Sequence, residues 1–162
     1  MCSSERSLQL LKQHIQDRDD KIADGVRLAL ARRGDKKWEE FYIKEFLLQE
    51  EKVKEFSLDW AWEKSFTDAL FNLEYIGSVE CIMVLFDSIV RYSGEIERNM
   101  KSRIKNMVAF LEGTGMKVPG GDNKAELDKW WRENRANVER VLREKADRLP
   151  RLPITPILLG GS

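Results

Sequence analysis

The feature that most constrains this chain is the spacing of its apolar residues, which recur about every 3.6 residues along almost the whole sequence. Residues three and four apart share one face of an α-helix, whereas a half-buried strand would need apolar and polar residues to alternate. No stretch alternates convincingly, so the pattern predicts an all-α fold of about six helices. The predicted helices are Ser4 to Arg33, Lys36 to about Phe56, Leu58 to Ile76, Val79 to Val90, Ile96 to Leu111 and Asn123 to about Leu149.

Short segments with glycine, serine or asparagine separate these helices. Gly34 is typical of a helix end, Ser78 of an N-cap, and Asn123 followed by Glu126 of a capping box. The polar run QDRDDK inside the first predicted helix indicates a bend or a protruding segment. The helix after Ser78 is apolar nearly all round, which predicts that it is the most buried element.

The length of 162 residues suits one domain with a real core. We expect a single all-α domain over residues 1–149, followed by an extended tail over 150–162. The tail contains three of the four prolines, and proline cannot continue a helix. It is also apolar, so we expect it to lie along its own domain or to bind a partner, including a second copy in a homodimer. Its large apolar residues are Leu152, Ile154, Ile157, Leu158 and Leu159.

Composition argues against several functional classes. Lys plus Arg and Asp plus Glu number 28 each, which leaves no net charge to attract nucleic acid or anionic lipid. No apolar run approaches the roughly 20 residues that span a bilayer, and no signal sequence is recognisable, so we expect a cytoplasmic protein without membrane contact. One histidine and two cysteines offer few metal ligands. No nucleophile elbow or phosphate loop is present, so we assign no catalytic, cofactor-binding or metal-binding residue.

A first segment, Ala69 to Ile89, reads ALFNLEYIGSVECIMVLFDSI. Its apolar residues before Gly77 and the serine at position 78 resemble the helix–turn–helix unit of bacterial HEAT-repeat proteins. Val79 stands where that family often has a proline. The resemblance implies an antiparallel helix pair on either side of Gly77.

A second segment, Thr114 to Asn134, reads TGMKVPGGDNKAELDKWWREN. It is similar to the closing segment of some bacterial HEAT arrays, in which a Thr-Gly pair and a short loop precede a Trp-Trp pair. The resemblance implies a HEAT-like part over approximately residues 58–134 and a bacterial source. Two indoles could cover the apolar end of a helical stack. The residues expected to form this structural cap are Thr114, Gly115, Asp122, Trp130 and Trp131.

HEAT-type scaffolds bind extended partners along successive helices, so the resemblance implies a non-enzymatic protein-interaction or scaffold module with an unidentified protein partner. We expect the contact surface on the third to fifth predicted helices, with the tail as a second candidate. The alternative is binding to a nucleic-acid backbone through the basic faces of the fifth and sixth helices. Glutamates interleave with these basic residues, which favours a charge-balanced, solvated face. The basic residues of the alternative are Arg98, Lys101, Arg103, Lys105, Arg132, Arg135, Arg140 and Arg143.

Overall fold

The computed structural model of the protein describes residues 4–55, 60–92, 109–119 and 123–145. Within these ranges the chain forms helices joined by turns and contains no strand, so the predicted all-α fold is confirmed. Residues 109–113 are also helical. The helices with described bounds are α1 (Ser4–Gln13), α2 (Asp20–Arg32), α3 (Lys36–Glu55), α4 (Trp60–Ile76), α5 (Val79–Tyr92) and α6 (Lys124–Lys145).

The first predicted helix is two helices in the structure, because the aspartates of its polar middle bind the backbone. The side chain of Asp17 accepts a hydrogen bond from the backbone N–H of Asp19 at 3.0 Å. Asp19 in turn is the N-cap of α2 and accepts from the backbone N–H of Lys21 at 2.9 Å. Short carboxylate side chains compete with the helical hydrogen-bond pattern in this way and favour a helix start. The prediction of one helix from Ser4 to Arg33 is therefore wrong between α1 and α2.

The turn between α2 and α3 depends on Gly34, which has a φ of +92°. The backbone N–H of Gly34 donates to the carbonyl of Ala31 at 2.9 Å, and that of Asp35 donates to the carbonyl of Leu30 at 3.1 Å. This is the Schellman pattern, in which glycine tolerates the left-handed conformation that ends a helix. Asp35 then caps α3 by accepting from the backbone N–H of Lys37 at 3.1 Å.

The chain divides into two compact units, Met1–Cys81 and Ile82–Ser162, and the boundary lies within α5. The sequence predicts one domain over 1–149; in the structure the residues of each unit include their own set of buried apolar side chains. In the first unit, α2, α3 and α4 all contact one another and α1 contacts α2. The buried apolar residues of these helices are Ala23, Val26, Leu30, Ala31, Tyr42, Phe46, Phe66, Ala69, Leu70, Leu73 and Ile76.

In the second unit, buried apolar residues lie on α5, on α6 and on the helical segment 109–113. Phe86 of α5 and Trp131 of α6 stack with their ring centroids 5.2 Å apart. The side chains of Val138 and Leu142 on α6 are fully buried. The other buried apolar residues of this unit are Ile82, Met83, Leu85, Val90, Leu111 and Leu127.

Candidate interaction surface

Helix α3 departs from the usual amphipathic pattern on both faces, although Tyr42 and Phe46 also lie on its buried side. Its exposed side carries three large apolar residues, Phe41 (42% exposed), Leu47 (42%) and Leu48 (47%). Its buried side carries two glutamates, Glu39 and Glu50, each only 2% exposed. Apolar residues clustered on a surface and rimmed by charged residues are typical of a site that binds another polypeptide.

Contacts on the opposite side of α3 fix the rotation of the helix about its axis. The hydroxyl of Tyr42 donates to the Oδ1 atom of Asp24 on α2 at 2.7 Å, and the carbonyl oxygen of Asp24 lies 3.0 Å away. Burial, reinforced by this hydrogen bond, raises the pKa of Tyr42 far above its usual value. Phe46 packs on Phe66 of α4 with ring centroids 5.3 Å apart. Because both anchors are buried, α3 cannot turn Phe41 inward without breaking them.

The buried carboxylate of Glu39 is neutralised by a lysine on the same helix. The Nζ atom of Lys36 lies 2.9 Å from Oε1 of Glu39 and 3.6 Å from Oε2 of Glu80. The hydrogen bond from Lys36 to Glu39 raises the pKa of the lysine above its usual value. A buried carboxylate is tolerated when it is paired and hydrogen-bonded, as it is here. The glutamate on the inner face is therefore compatible with the observed rotation of α3.

Three large apolar side chains of α3 lie along one edge of the helix; Phe41 and Leu48 are exposed and Trp38 is half-buried. We name Trp38, Phe41 and Leu48 the α3 ridge; at 100° per residue these positions lie within about 80° of one another around the axis. The rings of Trp38 and Phe41 lie edge to face, 5.8 Å apart and inclined by 75°. Arg27 and Lys37 lie over the Trp38 ring, at 5.3 Å and 4.8 Å from its centroid. The ridge is an apolar surface with a cationic border on its Trp38 side.

The sequence did not identify this surface. The apolar period of this helix predicts that Trp38 shares a buried stripe with Tyr42 and Phe46, but the structure leaves Trp38 half-buried. The interaction surface was expected on the third to fifth predicted helices, whereas the exposed large apolar residues of the described ranges lie on α1, α2 and α3. The available signal was the pair of consecutive leucines, Leu47 and Leu48, with charged residues on both sides. Adjacent residues of a helix point about 100° apart, so both leucines cannot lie in the buried stripe.

Of the predicted cap residues, Trp131 makes the most extensive contacts. It is 5% exposed, and its Nε1 atom donates to the Oδ1 atom of Asp87 on α5 at 2.9 Å. Arg135, one turn further along α6, donates to the same carboxylate through Nε at 2.9 Å and Nη2 at 2.8 Å. We name Asp87, Trp131 and Arg135 the Asp87 cluster. It joins two helices of the second unit through one carboxylate.

The other predicted cap residues are placed as follows. Trp130 is half-buried, with its ring centroid 6.3 Å from that of Trp131. Gly115 has a φ of +90°, and its backbone N–H donates to the carbonyl of Glu112 at 2.8 Å, while the Thr114 hydroxyl donates to the carbonyl of Leu111. Asp122 lies outside the described residues. A role for this segment as the cap of a helical stack stays a prediction.

Three of the four arginines proposed for nucleic-acid contact on α6 bind carboxylates of their own unit. Arg135 binds Asp87, Arg140 lies 2.6 Å from Glu144, and Arg143 lies 2.8 Å from Glu139. The last two pairs have the i, i+4 spacing that is typical of a solvated helix face. A shallow depression of about 470 Å³ on this face is lined by Ala136 and by the paired side chains of Glu139, Arg140, Arg143 and Glu144.

Arg132 donates to the backbone carbonyl of Asp128 at 3.3 Å. The remaining candidates, Arg98, Lys101, Arg103 and Lys105, lie outside the described residues.

Two titratable groups of the described residues, Cys81 and Asp87, have pKa values that their surroundings shift. Cys81 is fully buried, and burial raises its pKa to about 12, which suppresses the reactive thiolate. Partial burial acts to raise the pKa of Asp87, but hydrogen bonds from Arg135 and Trp131 outweigh it and hold the pKa below its usual value. In the described ranges, no group of three or more His, Cys, Asp or Glu residues could hold a metal ion.

Among those same ranges, no helix combines the length and the apolar character needed to cross a membrane. Comparisons of the chain with protein families, with curated proteins and with solved structures find no match. The HEAT-like character of the fold therefore stays a prediction from the sequence.

Proposed function

We propose that this chain is a non-catalytic protein-interaction module that binds an extended, proline-containing apolar segment of a protein partner on the α3 ridge. The observation that carries the proposal is the exposed apolar edge of a helix whose rotation is fixed by buried contacts on the other side. Side chains held in place before binding lose little conformational entropy on association. Phe41, whose ring packs against Trp38 and Tyr42, thus offers apolar surface at a low entropic cost.

The form of the ridge favours an extended segment. The Trp38 and Phe41 rings pack edge to face, 5.8 Å apart and inclined by 75°, so together they offer a continuous aromatic surface, and aromatic-lined surfaces receive proline-containing segments. About half of each exposed side chain, Phe41 and Leu48, remains to be buried, worth about 1 kcal/mol per residue. A surface of this size supports weak, reversible binding.

The scaffold of the proposed module is HEAT-like, as the sequence resemblance implies. Support comes from the connection between α4 and α5, which consists of Gly77 and Ser78 alone. Gly77 has a φ of +65°, and the hydroxyl oxygen of Ser78 accepts from the backbone N–H of Cys81 at 3.2 Å. A tight glycine turn followed by a serine cap is how a HEAT unit reverses its chain.

The experiment that tests the proposal places a photo-crosslinking amino acid at position 41 in the full chain, with position 22 as the matched control. Ile22 is an equally exposed apolar residue on α2. We expect polypeptides cross-linked at position 41 and not at 22, through segments that mass spectrometry shows to contain proline and aliphatic residues. Leu48→Ser should abolish the capture. Equal capture at both positions would refute an interaction specific to the ridge.

Nucleic-acid binding is the alternative that the same protein can test. Because Arg140 and Arg143 already pair with carboxylates, we expect no affinity for unrelated duplexes at low salt. Binding that weakens steeply with salt would instead indicate phosphate contacts. An Arg140→Ala, Arg143→Ala double variant that lost such binding would assign the contacts to α6.

A further inference from the structure

Two positively charged side chains border the α3 ridge at Trp38, and neither has a carboxylate partner. The Cζ atom of Arg27 and the Nζ atom of Lys37 lie 5.3 Å and 4.8 Å from the centroid of the Trp38 ring. The negative face of an indole attracts cations, which keeps both groups beside the apolar surface. Within the described residues, neither cation forms an ion pair. We name Arg27 and Lys37 the cationic border.

The carboxylates within three residues of either cation are placed so that they do not pair with the border. Asp24 accepts the buried tyrosine hydroxyl of α3 at 2.7 Å, and Asp35 accepts a backbone N–H in the first turn of α3 at 3.1 Å. Glu39 is buried and binds the first lysine of α3 at 2.9 Å. Glu40 is exposed, and among the described residues it makes no ion pair with the border. An anion from outside the chain can therefore reach both cations without displacing an ion pair.

The position of Lys37 is unfavourable for its own helix. It is the second residue of α3, where the positive end of the helix dipole repels a cation. Lys36, the first residue, is compensated by Glu39 and Glu80 at 2.9 Å and 3.6 Å. Lys37 has no such compensation among the described residues. Local arrangements that oppose stability are expected at functional positions.

Arg27 also has donors left for a ligand. Its Nη2 atom donates to the carbonyl oxygen of Ile15 at 3.4 Å, which is long for an N–H···O hydrogen bond. Its buried Nε atom has no acceptor in the described part of the chain. A guanidinium has five N–H donors and can bind a carboxylate through two of them. On α6, by contrast, three arginines already pair with carboxylates of their own unit.

We propose that the segment bound by the α3 ridge carries an acidic side chain, aspartate or glutamate, that contacts the cationic border. This inference rests on the proposed function, because it identifies the charge of the partner at the same surface. Trp38 and Leu48 lie about 15 Å apart along α3, and an extended segment covers that distance in about five residues. The acidic side chain therefore lies about five residues from the one that contacts Leu48.

Two other occupants fit this surface less well. The apolar tail over 150–162, expected as a second candidate surface, lies outside the described residues and contains no Asp or Glu. A single-stranded nucleic acid would supply phosphates for the cations, but it also needs open aromatic rings on which its bases stack. The Trp38 ring already has two cations over it, and the rest of the ridge is apolar.

Titration of defined peptides into the isotopically labelled full chain, followed by nuclear magnetic resonance, tests the charge of the partner. Each peptide has the same core of alternating proline and leucine, preceded by two Glu, two Gln or two Lys. The indole N–H signal of Trp38, identified from a Trp38→Phe chain, reports on the border. We expect the Glu peptide to bind at least about tenfold more tightly than the Lys peptide, with the Gln peptide between them. Raising NaCl from about 25 to about 300 mM should reduce the difference, because salt screens exposed charges.

Variants of the border identify the cations responsible. Lys37→Gln should weaken binding of the Glu peptide about threefold, since an exposed ion pair contributes little by itself. The double variant Arg27→Gln, Lys37→Gln should weaken it about tenfold and leave the Gln peptide unchanged. Arg18→Gln, Lys21→Gln is the matched control, because it removes the same charges from exposed positions of the same unit. Circular dichroism confirms that the helices are intact, and Lys37→Gln, at an exposed position, is the test that remains if Arg27→Gln disturbs the fold.

Three results would overturn the inference. Equal binding of the three peptides, abolished by Leu48→Ser, would leave the proposed function standing without a charge preference. An equal loss of affinity in the control Arg18→Gln, Lys21→Gln would show that the overall charge of the unit acts, and not the border. A thymine oligonucleotide that binds the wild-type chain and not the Arg27→Gln, Lys37→Gln chain would assign the border to phosphates. If no peptide binds, the inference also fails, and cross-linking at position 41 decides the proposed function separately.

Discussion

Replacing Asp87 with alanine removes the acceptor of three hydrogen bonds, one from Trp131 and two from Arg135. The indole of Trp131 is 5% exposed, so its N–H would lose its partner without gaining water, which costs about 1–3 kcal/mol. Arg135 is 47% exposed, and a pair so open to solvent contributes about 0–1 kcal/mol. We expect Asp87→Ala to lower the free energy of unfolding by about 2–3 kcal/mol, or the Tm by roughly 5–10 °C.

Urea unfolding followed by circular dichroism measures this loss without relying on tryptophan fluorescence. The decisive comparison is Asp87→Ala in the wild-type chain and in a Trp131→Phe chain, which has no indole donor to leave unpaired. We expect the cost to be smaller in the second background by about 1–2 kcal/mol. Arg140→Ala, which breaks an exposed pair with Glu144 and an exposed hydrogen bond to Asn137, should change stability by less than about 0.5 kcal/mol. If Asp87→Ala lowered the free energy of unfolding equally in both backgrounds, the loss could not come from an unpaired indole N–H.

The same cluster predicts a dependence on pH. The folded-state pKa of Asp87 lies below its usual 3.8, because the hydrogen bonds from Arg135 and Trp131 outweigh the effect of burial. The ionised carboxylate therefore contributes stability that is present above the unfolded pKa and is lost as pH falls through the folded pKa. The difference in free energy of unfolding between the wild-type chain and Asp87→Ala should stay constant near neutral pH and become smaller below about pH 3.8. A difference that narrows already near pH 6 would contradict this assignment.

Two further predictions concern backbone conformation and thiol reactivity. Gly115→Ala should destabilise the protein by about 1–2 kcal/mol, because the φ of Gly115 is +90°. Gly113 lies in a helical position with open space around it, so Gly113→Ala should be neutral or stabilise the protein by about 0.5 kcal/mol. Thermal unfolding of both variants measures the two effects, and equal effects would contradict this explanation. In a Cys2→Ser chain, Cys81 should not react with Ellman's reagent at pH 8 until urea unfolds the protein, because burial raises the pKa of the Cys81 thiol to about 12. Rapid reaction of the folded chain would contradict this prediction, because it would show that the thiol is accessible.

The helices themselves were predictable because their determinants are local. The predicted N-cap at Ser78 is confirmed by the hydrogen bond that its hydroxyl oxygen accepts from the N–H of Cys81. Asn123 likewise accepts from the N–H of Glu126 at 3.3 Å, as the capping pattern predicts. Both interactions span three residues, so the sequence contains all their participants in one turn. The break between α1 and α2 was equally local, and the aspartates in QDRDDK were its signal.

The sequence by itself determined where most helices begin and end, because caps, glycine turns and the 3.6-residue period act within a few residues. Only the tertiary structure decided which way α3 faces, since Tyr42 is oriented by Asp24 and Phe46 by Phe66, residues 18 and 20 positions away. The apolar edge that α3 leaves exposed follows from that rotation. A helix's own sequence specifies its period, but the neighbours against which it packs choose the buried side.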